Sequence, residues 1–414
     1  MSQPVRYLLL TLGIVGCSDG GGAGRVGAVS RDSGDIRIVE NAFDSGTGRI
    51  TVDTTPAFRI GSGADAEAPL FGHVTAVHVL ASGTIAILDL TAPNLLFVDT
   101  TGTVLGRAGG KGSGPGEFPG SQGGMVQTFA GLGDSIYAVI NRADVAVFVP
   151  GRFVRAFKLT ALPDGGFPMT VAVVGSSLVA SKRLPQSQRA PGMYRDSVTL
   201  QRYALDGTLG EALDGVPNVE TRQHPMGSYP APFGKRLQVA SKQGWMVTGF
   251  PEHFEIASRN PEGRVARIVR LSKPDVPMTA AVVDGHKARL FDNFGGSPEE
   301  RSAMEADLSL DQLPKTLPAY SAVKVDGMGR VWVREYIELD GMGPMNADMG
   351  KGPRWRPDVP ARWYVFSNDG EFLGTVRLPL GFVVHDIGKD HIVGVIRDAD
   401  DVEYVVGYPF REKR

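Results

Sequence analysis

A three-strand unit recurs six times along this chain, and that recurrence constrains the fold more than any other feature of the sequence. Each of the first five copies carries a strand with apolar residues at alternate positions, a second strand of apolar-x-apolar form, a turn rich in Gly, Asp or Asn, and a third strand. The clearest copy runs through Gly83–Asp89, Leu95–Asp99 and Thr101–Gly106. The others open at Ser135, Ser177, Gly244, Gly329 and His391. Their equivalent positions Ile85, Ile136, Leu178, Met246, Val331 and Ile392 lie 51, 42, 68, 85 and 61 residues apart. Propeller blades repeat every ~40–50 residues, so the longer intervals demand insertions, and the third and fourth copies have room to hide a seventh blade. Glycine accounts for 54 of 414 residues, close to twice the usual ~7%, with no G-X-Y period. That composition fits many tight turns between short strands and excludes collagen.

The sixth copy, His391–Val395 and Val402–Val406, ends without a third strand. Ala57-Phe-Arg-Ile-Gly61 has the form of the missing outer strand, and a strand arriving from the N-terminus closes a ring while leaving few open edges. The expected fold is therefore all-β: a six-bladed β-propeller of four-stranded antiparallel blades over residues 36–410, closed by an N-terminal strand. Between blades four and five, residues 273–318 change character. Ser297-Pro298-Glu299-Glu300 supplies an N-cap, a proline at the first helical position and early acidic residues, with Met304 and Leu308 following at helical spacing. Residues 280–291 suggest a preceding helix. This segment is expected to cap one face of the ring, and residues 340–361 to form a loop insertion within blade five.

The one cysteine excludes an internal disulfide and a Cys-based zinc site. Cys17 follows Arg6 and a short apolar run from Tyr7 to Gly16, the pattern of a secretory signal and too short for a membrane-spanning helix. Ile14-Val15-Gly16-Cys17 resembles the lipobox of bacterial lipoproteins. The resemblance implies cleavage of residues 1–16, acylation of Cys17 with a membrane anchor, and, with Ser18 next, outer-membrane retention in diderm bacteria. A plain signal peptide is the alternative. The glycine-rich stretch 17–35 reads as a flexible tether. Lys and Arg total 43 against 45 Asp and Glu, a net charge of -2, which offers no electrostatic basis for nucleic-acid binding. A monomer is expected.

Arg107-Ala-Gly-Gly-Lys-Gly-Ser-Gly-Pro-Gly-Glu-Phe118 is similar to the inter-blade link of NHL-type propellers. With the lipobox and the repeat, nearly the whole mature chain resembles six-bladed propeller lipoproteins of environmental bacteria. That resemblance implies fold and location; NHL-type relatives include scaffolds as well as metal-dependent lyases and lactonases.

Nucleotide chemistry is excluded in the same glycine run. Leu105 and Gly112 stand where a phosphate loop needs Gly and Ser or Thr, and Glu117 replaces the last glycine of a dinucleotide fingerprint. A metal-dependent enzyme would take ligands from several blades at the central channel, and His73, His224 and His253 are the candidates for Zn or Ca, without any close-spaced pair. His78 and His385 fall inside strands and read as packing or hydrogen-bonding residues. Asp398-Ala-Asp400-Asp401 lacks the glycine and terminal Glu of a calcium loop and reads as a solvated turn. Asp326-Gly-Met-Gly-Arg-Val-Trp332 is one residue longer than a sialidase Asp-box and reads as a structural turn whose Trp packs between blades. Arg354 and Trp355, with Arg183 and Arg189 on the long third-blade loop, could gather cationic and aromatic groups on one face to bind an anionic or carbohydrate ligand or a protein. The leading expectation is a non-catalytic, lipid-anchored binding module; the runner-up is a metal-dependent, NHL-like lyase or lactonase.

Overall fold

Each of the six repeats forms one antiparallel sheet in a computed structural model of the chain, which describes residues 28–44, 48–61, 69–118, 126–140, 143–162, 167–183, 190–224, 227–291, 297–336 and 360–413. Blade one shows the grammar: Val74–Val79, Ile85–Asp89, Asn94–Val98 and Val104–Ala108 pair in that order. The two middle strands carry apolar residues at nearly every position because both of their faces are covered by neighbouring blades, whereas the outer strand Val104–Ala108 is largely exposed. The inner strands Val74–Val79, Val126–Leu132, Phe167–Val174, Gln238–Lys242, Ala322–Val325 and Val383–Ile387 neighbour one another in sequence order, and the last meets the first. The tight turns from each inner strand to the second strand share one face, called lower here. The connections between blades share the opposite, upper face.

The extra length of repeat three is not a further blade. Its third and fourth strands, Gly192–Ala204 and Leu209–His224, form a long hairpin, and Gly227–Pro230 adds a fifth strand to the same sheet. The long interval after repeat four holds helices α1 (Ala280–Phe291) and α2 (Pro298–Asp307), as their capping sequence indicates. Val283, Phe291 and Leu308 bury a small core against Phe233, which adopts a left-handed backbone (φ 55) to reach them. Arg222 of the blade-three hairpin pairs with Asp307, 3.1 Å apart and both nearly buried.

Ring closure is more elaborate than one strand. Strand β1 (Val29–Ser33) folds back on β2 (Ile36–Ala42), which joins the outer strand Val265–Ser272 of blade four in parallel. This places ordered structure inside the stretch expected to be tether, because the hairpin at Gly34 gives both strands a partner. Asn41 ties β2 to blade five: its side-chain amide donates to Arg270 O and Gly370 O, at 3.0 and 2.9 Å, and its oxygen accepts from Phe372 N at 2.9 Å. The chain then crosses blade five where Gly48 meets Gly374, a crossing so close that a Cβ on Gly374 would lie 2.2 Å from Gly48 Cα. Strands β3 (Ile50–Val52) and β4 (Phe58–Ile60) pair with Glu403–Glu412 of blade six. The expected closing strand is thus β4, preceded by a belt across the outer edges of three blades.

The other local readings resolve structurally. Phe118, fully buried, stacks on Phe148 at a centroid distance of 5.4 Å, so the glycine run is a link that plugs the seam between blades one and two. The Asp326 carboxylate accepts from Met328 N, Arg330 N, Arg330 Nε and Trp332 Nε1, at 2.6–2.9 Å, and Trp332 packs on Phe410 of blade six. Asp398 accepts from Asp400 N, Val402 N and Tyr404 Oη and serves as a turn cap.

Candidate functional site

An inner propeller strand has no partner on its channel side, so its backbone groups there need side chains or water. In this chain side chains of opposite blades meet that need. Lys242, at the lower end of the blade-four inner strand, reaches across the ring to donate to Asp386 Oδ2 of blade six (2.5 Å) and Val79 O of blade one (3.1 Å). Asp386 also accepts from Val79 N at 2.7 Å and Ile387 N at 2.9 Å, and lies 3.1 Å from His78 Nδ1. Lys324 of blade five, half-buried beside them, donates to His385 O at 2.7 Å. Five ionisable side chains from four blades thus converge in the lower half of the channel. Neighbouring turns add to the closure: Ala81 N donates to Gly133 O, Gly175 N to Gly244 O and Gly327 N to Gly388 O.

Burial sets the charges. It holds the His78 imidazole down to about 4, with Asp386 opposing and Lys242 and Lys324 reinforcing. It also holds His385 down to about 4, with Lys324 reinforcing and Asp386 opposing. Burial pushes the Asp386 carboxyl up, but Lys242, His78 and its hydrogen bonds outweigh that and leave it below the usual carboxylate range. Burial lowers Lys324 as well. Both imidazoles are therefore neutral at neutral pH. The unfolded chain binds protons at both histidines near pH 6.5 and the native state only near 4, so their contribution is intact above 6.5 and lost as pH falls from 6.5 to 4. The unfolding free energy from urea titrations is expected to drop across that window, by up to about 3 kcal/mol per histidine. A flat profile between pH 7 and 4.5 would show that the imidazoles are hydrated.

His78 Nδ1 faces Asp386 Oδ2 at 3.1 Å, while Nε2 is buried and without a hydrogen-bond partner among the described residues. The ring lies against Gly131 of blade two, where a Cβ would stand 1.9 Å from Nε2. Gly131→Ala is therefore expected to destabilise the fold by about 1–3 kcal/mol, as overpacking does, and His78→Ala in the same chain to recover most of that loss. Thermal melts of the single and double variants check this.

The residues singled out from sequence lie elsewhere. Arg183 ends the second strand of blade three, Ser177–Arg183, at the upper face. Arg189, Arg354 and Trp355 lie outside the described residues, as do Cys17 and most of residues 340–361; the strands flanking these connections, Val331–Arg334 and Arg362–Phe366, also meet the upper face. His73 precedes the inner strand of blade one, and its backbone N–H donates to Asp89. His224 ends the blade-three hairpin. His253 is exposed, with Nδ1 3.9 Å from Asp275. These three histidines stand on blades one, three and four, and among the described residues no group of three or more His, Cys, Asp or Glu is arranged to hold a metal ion. Lys242, Lys324 and Asp386 were not anticipated. Their one signal was a charged residue in an inner strand, as in Ala322-Val-Lys-Val325.

No family model matches the sequence, and no curated protein does. Among solved structures, the chain is similar to an exported protein of Bacteroides fragilis, at 11% identity over 91% of this chain and 100% of that one, with a TM-score of 0.49. It is also similar to a gluconolactonase of Xanthomonas campestris, at 13% identity over 89% and 99% of the two chains, with a TM-score of 0.34. Likenesses of this degree carry no argument about activity. Among the described residues no helix is long and apolar enough to cross a membrane.

Proposed function

We propose that this chain is a lipid-anchored propeller of the bacterial cell envelope that binds a protein or small-molecule partner through its upper face, without catalysis. One observation supports this above others: the large departures from six-fold regularity gather on that face. The α1–α2 cap and the blade-three hairpin with its fifth strand belong to it, and the strands that end at Arg183 and Arg334 also meet it. The cap is rigidly mounted through Arg222–Asp307 and the Phe233 cluster, which suits a recognition surface on a fixed scaffold. Anchoring at Cys17 through the tether would hold this surface at a membrane.

A photo-crosslinking amino acid placed at Arg183 or Trp355, and at Asp134 on the lower face, tests this reading in cells carrying the tagged protein. One recurrent adduct from the first two positions and none from Asp134 is the expected result. Adducts spread equally over both faces, or stoichiometric metal with lactone turnover in the purified chain, would overturn it. Palmitate-analogue labelling lost in Cys17→Ser is expected from the anchor.

A further inference from the structure

We infer that the lower mouth of the channel, where blades six and one meet, is a binding site for a small organic monoanion with an apolar body. The inference concerns the face opposite the proposed partner surface and does not depend on it. A cavity of about 270 Å³ opens there, close to the lower end of the ~300–1,000 Å³ typical of small-molecule sites, so its occupant is small. Its walls include Phe58, Ile85 and Val393, apolar side chains from the closing strand β4 and from blades one and six. Lys242 lines its inner end, and Lys389 stands exposed at its rim.

The polar groups select an anion. Two of the three Lys242 N–H groups go to Asp386 and Val79 O, which leaves one donor for an occupant. Behind it, two lysines, Lys242 and Lys324, stand with a single carboxylate, Asp386, so basic side chains outnumber acidic ones at the channel floor. An anion in the cavity would add a second acidic partner for Lys242 at short range, where screening is weak. Asp390, the acidic side chain of the lining, is engaged with His391 Nδ1 at 2.8 Å. An apolar wall facing a buried ammonium group fits a carboxylate on a short hydrocarbon or aromatic body, and disfavours both sugars and dications.

Calorimetric titration of the purified chain with benzoate and with its neutral isostere benzamide tests this. Benzoate is expected to bind with saturation in the micromolar-to-millimolar range and benzamide at least about tenfold more weakly. Lys389→Gln, a surface change, is expected to weaken benzoate several-fold at an unchanged melting temperature. Thr100→Trp, placed at the rim from an exposed turn, is expected to abolish binding while leaving the fold intact. Equal affinity for the two probes, no benzoate binding at about 10 mM, or benzoate binding untouched by Thr100→Trp would each overturn the inference.

Discussion

Lys242→Met is expected to cost the fold about 3–5 kcal/mol, the largest effect of any single substitution in the channel. Lys242 is 2% exposed and its partner Asp386 is 6% exposed, so little water is available to replace the ammonium group. Its removal leaves a buried carboxylate whose remaining hydrogen bonds come from the neutral groups Val79 N and Ile387 N, while Lys324, the other lysine nearby, is bonded to His385 O instead. The double variant Lys242→Met/Asp386→Leu is expected to regain more than half of that loss, because the isolated charge, rather than the missing pair, carries the cost. Urea unfolding of wild type, singles and double closes the cycle. A loss below about 1 kcal/mol in Lys242→Met would mean that water reaches the pair as it reaches surface ion pairs.

Deletion of residues 1–61 is expected to abolish cooperative unfolding, while deletion of residues 1–27 leaves it unchanged. The longer deletion removes β2 from the edge of blade four and β3 and β4 from the edge of blade six. It also strips Phe58 and Ile60 from the core between blades six and one. Truncating those two side chains alone, Phe58→Ala with Ile60→Ala, removes about 3–5 and 2–5 kcal/mol by the usual scale for buried residues, and most of a typical folding free energy with it. The exposed strand edges then favour aggregation, which light scattering would report beside the lost calorimetric transition. A deletion variant that still melts cooperatively would show that the belt decorates the ring rather than closes it.

The blades were legible because their determinants are local. Alternation of apolar residues over five to seven positions, a Gly-containing turn and a second such run specify a hairpin wherever they occur, and six copies leave few architectures able to bury them all. The N-cap and proline at 297–298 mark the start of α2 for the same reason. Trp332 was identifiable as a residue packing between blades from the turn that delivers it, and residues 107–118 as a link between blades. The belt was legible only at β4, which repeats the form of other outer strands. Strand β2 was not, because its parallel partner Val265–Ser272 lies more than 200 residues away and its sequence, Ile-Arg-Ile-Val-Glu-Asn-Ala, carries no mark of which edge it will join.

The channel illustrates the division most sharply. His78 and His385 were placed in strands and read as packing or hydrogen-bonding residues; that both lie beside Asp386 and Lys324 could not be read from their neighbours. Lys242 and Asp386 are 144 residues apart, and Asp386 and Val79 are 307 apart. Sequence alone determined the repeat and the helical segment after the fourth copy, since each rests on contacts within tens of residues, while the structure decided for six blades against a hidden seventh. Only the tertiary structure decided what fills the ring, because the charges that meet there are brought together by closure itself, and a charge in an inner strand has no partner until the opposite blade arrives.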